Sequence, residues 1–184
     1  MIGQHRYSDA ERPSLLFGRE STAGEVAKSA DLRGRRAVVT GASSGLGMET
    51  ARCLALAGAD LVVGVRQPER AAMLAAEIRD SMNGTLTILP LDLSDLASIE
   101  NFARSVAGPI DLLIANAGVS KTPDAHLPNG MDVRFATNHL GHFLLTHLLY
   151  RQLAMRGARI VILSSAAHKG RPLRFDDLNW QARD

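Results

Sequence analysis

AVVTGASSGLGMETARCLALAGADLVVGV, residues 37–65, decides the fold of this chain. It reads as an apolar run (Ala37 to Thr40), a glycine-rich bend (Gly41, Gly45, Gly47), a helical pattern and a second apolar run (Leu61 to Val65). A chain that leaves a buried strand and turns at once into a helix needs backbone angles that glycine tolerates best. Glycines also clear the approach to the helix N-terminus, where unpaired N–H groups and the dipole favour anions. Ser43 and Ser44 add hydroxyl donors to the same bend. A glycine triplet alone is a weak signal, because any tight strand–helix turn can use one. Placed between a first strand and an amphipathic helix, it reads as a bend that binds pyrophosphate.

The same alternation continues outward. TLTIL (residues 85–89), DLLIAN (111–116) and RIVIL (159–163) are further apolar runs. Four of the five runs are near-continuously apolar, as expected of parallel strands covered on both faces; TLTIL alternates and fits nearer an edge. Between the runs, Leu46, Thr50, Leu54 and Ala57 form one helical stripe, and Leu74, Ile78 and Met82 another. In the third helix Ser94 is the expected N-cap, with Leu96, Ile99, Phe102 and Val106 as its buried face. The fourth is expected from about Met131 to Arg156, stopped by Gly157. Alternating strands and helices predict an α/β fold with right-handed crossovers, a Rossmann-type doubly wound parallel sheet. Residues 1–32 read as a mixed polar N-terminal arm and 33–184 as the dinucleotide-binding domain.

Composition narrows the function classes. With 46% hydrophobic and 22% charged residues in 184, the chain carries a packed core rather than a disordered or fibrous sequence. A net charge of +2, with arginines scattered, argues against a nucleic-acid partner. One cysteine, Cys53, excludes an internal disulfide framework and fits a reducing compartment; in ETARCLALAG it reads as a small core residue. The N-terminal stretch has no apolar core fit for a signal peptide. The richest apolar stretch, FLLTHLLY (143–150), falls far short of the roughly 20 residues a membrane span needs. The expectation is a soluble cytoplasmic protein with no membrane partner.

The spacing Gly-x-x-x-Gly-x-Gly in TGASSGLG resembles the nucleotide loop of short-chain dehydrogenases/reductases rather than the Gly-x-Gly-x-x-Gly of longer-chain relatives. ANAG (115–118) is similar to that family's Asn-Ala-Gly signature, and LDL (91–93) to its adenine-contacting segment. FGRESTAGEV, TNHLGHF, RIVILSSAAH and FDDLNW resemble the retinol-dehydrogenase-like branch, so the likeness runs from about Phe17 to the end. The resemblance implies about five of the usual seven strands. It also implies a nicotinamide dinucleotide held by Gly41, Ser43, Ser44, Gly45, Leu46, Gly47, Asp92, Leu93, Asn116, Ala117 and Gly118. By the same likeness Asn138 is the catalytic asparagine that helps hold a water in a proton relay. Ser165 is the catalytic serine, while Ser164 reads as a brace at the strand end.

That resemblance further implies reduction of a carbonyl, or oxidation of an alcohol, with a tyrosine acid whose pKa is lowered by a lysine four residues on. The pair is expected beyond FDDLNW; Tyr7 and Tyr150 do not match it. The chain therefore reads as an N-terminal fragment of an oxidoreductase acting on a small-molecule alcohol or carbonyl. The missing strands and helix would leave a sheet edge bare, with marginal stability, and a homo-oligomer is expected of the complete enzyme rather than of the fragment. The alternative is a catalytically inactive nucleotide-binding or interaction protein that retains the fold.

Four readings come from single residues. The second strand ends in VGVRQPER, with Arg66 where an acid would accept a hydrogen bond from a free ribose 2′-hydroxyl. A guanidinium there pairs with a 2′-phosphate, which favours NADP over NAD. A solvent-facing Arg66 stays open, and Met48, where some NADP-preferring relatives carry a base, argues mildly against. Asn138 shares a stripe with Met131, Phe135, Leu145 and Leu149, and burying its amide unpaired would cost about 1–3 kcal/mol; a core asparagine tied to a neighbouring backbone satisfies that need. His139 and His142, three apart, lack a further ligand arrangement, so no metal is expected. His168 reads as a loop histidine facing water.

Overall fold

The computed structural model describes residues 17–78, 82–120, 126–166, 169, 174–179 and 181. Tyr7, His168 and the arm as far as residue 16 lie outside them. The apolar runs form five parallel strands: β1 (Arg36–Thr40), β2 (Asp60–Val65), β3 (Leu86–Pro90), β4 (Leu112–Ala115) and β5 (Arg159–Ile162). Their order is β3-β2-β1-β4-β5. Val38 of β1 pairs with Val62 of β2 on one side and Leu113 of β4 on the other.

Side chains alternate across a strand, so each run feeds two cores. Val38, Val62 and Leu113 face α4 (Leu96–Ser105), α6 (His142–Leu148) and α7 (Tyr150–Ala154), meeting Ile99, Phe102, Leu145 and Leu153. Ala37, Val39, Leu61, Val63 and Ile114 face α2 (Gly45–Leu56) and α3 (Ala72–Ile78), meeting Ala51, Ala55, Leu74 and Ile78. Helices thus cover both faces, and burial of each large side chain such as Phe102 contributes about 1.5–3 kcal/mol. The chain runs outward through β1, β2 and β3, then returns to lay β4 beside β1. That reversal opens a crevice at the carboxyl ends of β1 and β4.

At the opposite, amino end, Asp111 is a buried carboxylate. It accepts hydrogen bonds from Arg35 Nη1 at 2.9 Å, the Arg36 amide at 2.9 Å and Arg156 Nη1 at 3.2 Å. Burial pushes its pKa up, but the Arg36 N–H and the Arg35 and Arg156 guanidinium groups outweigh it and leave the carboxyl below its ordinary value.

Several local expectations are corrected. The buried stripe of α2 is Gly47, Ala51, Cys53 and Ala55, while Leu46 is 75% exposed and Thr50, Leu54 and Ala57 are half-buried. The helix lies close against the sheet through its smallest residues, and Met48 and Leu54 pack at the margin of that core. In α4 the N-cap is Asp95, whose side chain accepts from the Ala97 amide; Ser94 instead bonds Asp92. Leu96 is the first residue of the helix and stands outside, 67% exposed, rather than on the buried face. The expected fourth helix is interrupted. It is built of α5 (Val133–Phe135), a π-helical stretch (Ala136–Gly141), α6 and α7, with Gly157 at φ 61° after the end. The extra residue per turn in the π stretch takes Asn138 off the apolar stripe and exposes it. β3 is the edge that the alternation of TLTIL predicts, and β5, exposed along its length, is the bare edge that is also expected, although its apolar run reads as covered on both faces. The arm also holds a short helix, α1 (Ala23–Lys28), closed by a capping box between Thr22 and Glu25.

Candidate functional site: a crevice built around an open helix end

The bend between β1 and α2 is shaped by contact as well as by conformation. Gly41 has φ 72°, and a Cβ on it would stand 2.8 Å from the Ala117 Cα. A Cβ on Gly47 would run into the Gly41 carbonyl oxygen and the Asn116 side-chain amide. The first turn of α2 is therefore drawn tightly under the bend. Ser44 is its N-cap, with extended backbone and no side-chain cap bond, and no acidic residue lies in the first turn. The amide N–H groups at the head of this 12-residue helix keep their capacity to bind an anion.

Asn116 clasps the same bend from β4. Its Nδ2 donates to the Thr40 carbonyl at 2.9 Å and the Gly41 carbonyl at 3.3 Å. The Thr40 hydroxyl oxygen accepts from the Asn116 and Ala117 amides, each at 3.0 Å. The two loops at the reversal of strand order are thereby fixed to each other.

Above them lies a cavity of about 830 Å³. Gly41, Ser43, Ser44, Leu46 and Gly47 line it from the bend, Arg66 from the end of β2, Asp92 and Leu93 from the end of β3, and Asn116, Ala117 and Gly118 from the end of β4. Gly45 opens α2 behind the bend and is outside that lining. Asp92 accepts from Ser94 N at 2.8 Å and Ser94 Oγ at 2.6 Å, which shapes the loop after β3.

Asn138 and Ser165 stand beside this cavity rather than in its lining. Asn138 is exposed and pins the loop after β4: its Oδ1 accepts from Val119 N at 2.8 Å and its Nδ2 donates to Val119 O at 2.9 Å. The tie to a neighbouring backbone is thus present, though not in a core. Ser164 and Ser165 follow β5 and are exposed. Cys53 is buried on α2, and burial pushes its thiol pKa up, in keeping with a core role.

Three residues that matter here escaped sequence reasoning. Arg70 lines the cavity near Arg66; it sits in the 3-10 turn Pro68–Ala71 and was available as a second base four positions on. Thr40 is fully buried at the end of β1. His142 is buried beneath it, with Nε2 2.9 Å from Thr40 Oγ1 and Nδ1 3.2 Å from the Asn138 carbonyl, instead of facing His139 as a metal pair. His139 stacks on Phe135, with ring centroids 5.4 Å apart. Among the described residues no cluster of three or more His, Cys, Asp or Glu could hold a metal ion, and no helix is long and apolar enough to cross a membrane.

Parallel strands, a reversed strand order and an open helix end at the reversal define a nucleotide-binding α/β protein. The short chain dehydrogenase family profile matches residues 35–174, and the chain belongs to that family, in its retinol-dehydrogenase-like branch. It is 48% identical over 155 residues to a Streptomyces lividans protein named "Probable oxidoreductase", covering 83% of this chain and 52% of that one. With human retinol dehydrogenase 13 it shares 40% identity over 167 residues, 88% of this chain and 50% of the relative. The chain thus spans about half the length of the curated relatives it matches. Among solved structures, a metagenomic short-chain oxidoreductase in complex with NADP superposes with a TM-score of 0.67 at 32% identity, covering 77% of this chain and 66% of that one.

Proposed function

We propose that this chain is the nucleotide-binding part of an NADP-dependent oxidoreductase that interconverts a small-molecule alcohol and carbonyl. The observation that carries the cofactor reading is the pair of arginines, Arg66 and Arg70, lining the cavity at the end of β2 with no carboxylate beside them in the lining at that strand end. The residues present fit the dinucleotide. A bend without side chains and an uncapped α2 would receive the pyrophosphate, and Arg66 and Arg70 would receive a 2′-phosphate. Asp92 and Leu93 would border the adenine, and Asn116, Ala117 and Gly118 the nicotinamide side.

When bound, the cofactor supplies or accepts hydride. The chain's own part is positioning. Val119 is held by both atoms of the Asn138 amide, which keeps the wall of the crevice in place. Ser165, at the carboxyl end of the sheet, would hydrogen-bond the substrate oxygen and stabilise charge building on it. The cytoplasm and a homo-oligomeric state of the whole protein belong to the same proposal, as does residues 33–184 forming the domain.

A charge-assisted hydrogen bond to phosphate is worth about 1.5–3 kcal/mol, which corresponds to roughly 10- to 150-fold in affinity. Arg66→Asp should therefore move the NADPH-to-NADH affinity ratio toward NADH by about that factor. Titrating both cofactors against both proteins measures it; an unchanged ratio rejects NADP as the cofactor.

A further inference from the structure

The hydrogen bonds around Thr40 favour one arrangement of protons. Its hydroxyl oxygen already accepts two amide N–H groups, from Asn116 and Ala117. Its own hydrogen must then go to the third neighbour, His142 Nε2, at 2.9 Å. Nε2 accordingly carries no proton, so a neutral imidazole has its hydrogen on Nδ1, which faces the Asn138 carbonyl at 3.2 Å. The Ala117 amide is given to the Thr40 hydroxyl, while the Asn116 amide is shared between that hydroxyl and the Ile114 carbonyl, each at 3.0 Å.

We propose that His142 is a positioning residue for the nucleotide site: neutral and protonated on Nδ1, it holds the Thr40 hydroxyl in the rotamer that fixes the turn from Asn116 to Gly118. The proposal rests on the dinucleotide reading above and adds to it a residue lying outside the cavity lining. Through its two nitrogens the ring links the π-helical stretch that carries Asn138 to the end of β1, so both walls of the crevice are set by one side chain.

A second proton would turn Nε2 into a donor aimed at an oxygen that already accepts two N–H groups. Thr40 would lose the partner of its own hydrogen, and the hydroxyl would have to rotate and release the Asn116 and Ala117 amides. Burial already disfavours the charged ring and lowers its pKa, while the Asn138 carbonyl acts weakly in the other direction. The groups in hydrogen-bond contact with the ring are the Thr40 hydroxyl from β1 and the Asn138 carbonyl from the π stretch, and neither is titratable in this range.

Two measurements on the whole 184-residue chain test this. Nitrogen NMR of histidine-labelled protein should find His142 as the neutral Nδ1–H tautomer at neutral pH, charging only below the ordinary imidazole value of 6.5. An Nε2–H tautomer overturns the proposal, whatever the nucleotide does. In the second, NAD+ affinity is followed from neutral to mildly acidic pH in the wild type, His142→Phe and Thr40→Val. NAD+ avoids the 2′-phosphate, which itself titrates near about 6. The wild type should weaken by about tenfold in step with the titration of His142. His142→Phe should be weaker by a similar factor at neutral pH and lose that step, and Thr40→Val, which removes the hydroxyl, should lose it as well. Binding by the wild type with the same pH profile in His142→Phe overturns the positioning role. Absence of NAD+ and NADPH uptake at every pH instead defeats the dinucleotide reading, and the tautomer then decides the hydrogen-bond chain alone.

Discussion

α2 and α4 are alike in size and placement, one on each face of the sheet, yet their N-termini are finished in opposite ways. α4 is closed from within: Asp95 accepts from the Ala97 amide, and the loop before it is tied by Asp92 to Ser94 and by Ser98 to the Asp92 amide. α2 starts at Ser44 without a cap bond, has no acid in its first turn, and points into the cavity. A helix end usually satisfies its own N–H groups. One that leaves them open beside a cavity, under a bend cleared of side chains, is built to have them satisfied by a ligand.

The contrast can be broken most severely at Gly47. Gly47→Ala would drive a methyl into the Gly41 carbonyl and the Asn116 amide, which should destabilise the fold by about 1–3 kcal/mol and abolish measurable nucleotide binding. Thermal denaturation and cofactor titration read the two effects separately. Ser44→Asp makes α2 resemble α4. It should raise stability by up to about 1 kcal/mol while weakening NADPH binding about tenfold or more, because the new carboxylate occupies the amides and repels phosphate. Asp95→Ala does the reverse on α4: a loss of about 1 kcal/mol in denaturant melts, with cofactor affinity unchanged. Smallest of all, Thr22→Ala removes the capping box of α1, which buries no residue, and should alter the global melt by only a few tenths of a kcal/mol.

A pH test probes the far end of the sheet. Asp111 has a folded pKa below the ordinary carboxylate value, so its contribution to stability is complete above that value and is lost as pH falls through the folded pKa. Asp111→Asn should be less stable at neutral pH and should lose less than the wild type as the pH drops below about 4, as equilibrium unfolding at each pH would reveal.

The strands and the bend were legible because their signals are local and strong. Continuous apolar runs such as LVVGV require cover on both faces, and TGASSGLG puts Gly41 and Gly47 against Ala117 and Asn116, in the loop that follows β4. What was not legible depended on a rotation of one residue or on a distant partner. Asp95 and Ser94 are both competent caps, and the choice fell to Asp95 because Ser94 is engaged by Asp92. The π stretch has no pattern of its own in TNHLGHF, yet it removes Asn138 from the apolar stripe and directs its amide to Val119. His142 carried no assigned role in the sequence, because its partner Thr40 lies 102 positions earlier and only the fold brings it to Nε2. RIVIL is as apolar as the central strands, so its composition alone carries no sign of the bare edge that the family resemblance implies.

Calorimetric titration of NADPH into the folded wild-type chain at neutral pH bears most directly on the open end of α2. Saturable uptake of one nucleotide per chain, tighter for NADPH than for NADH, is the predicted result. A flat trace with both nucleotides, from protein whose melt is cooperative, would contradict it.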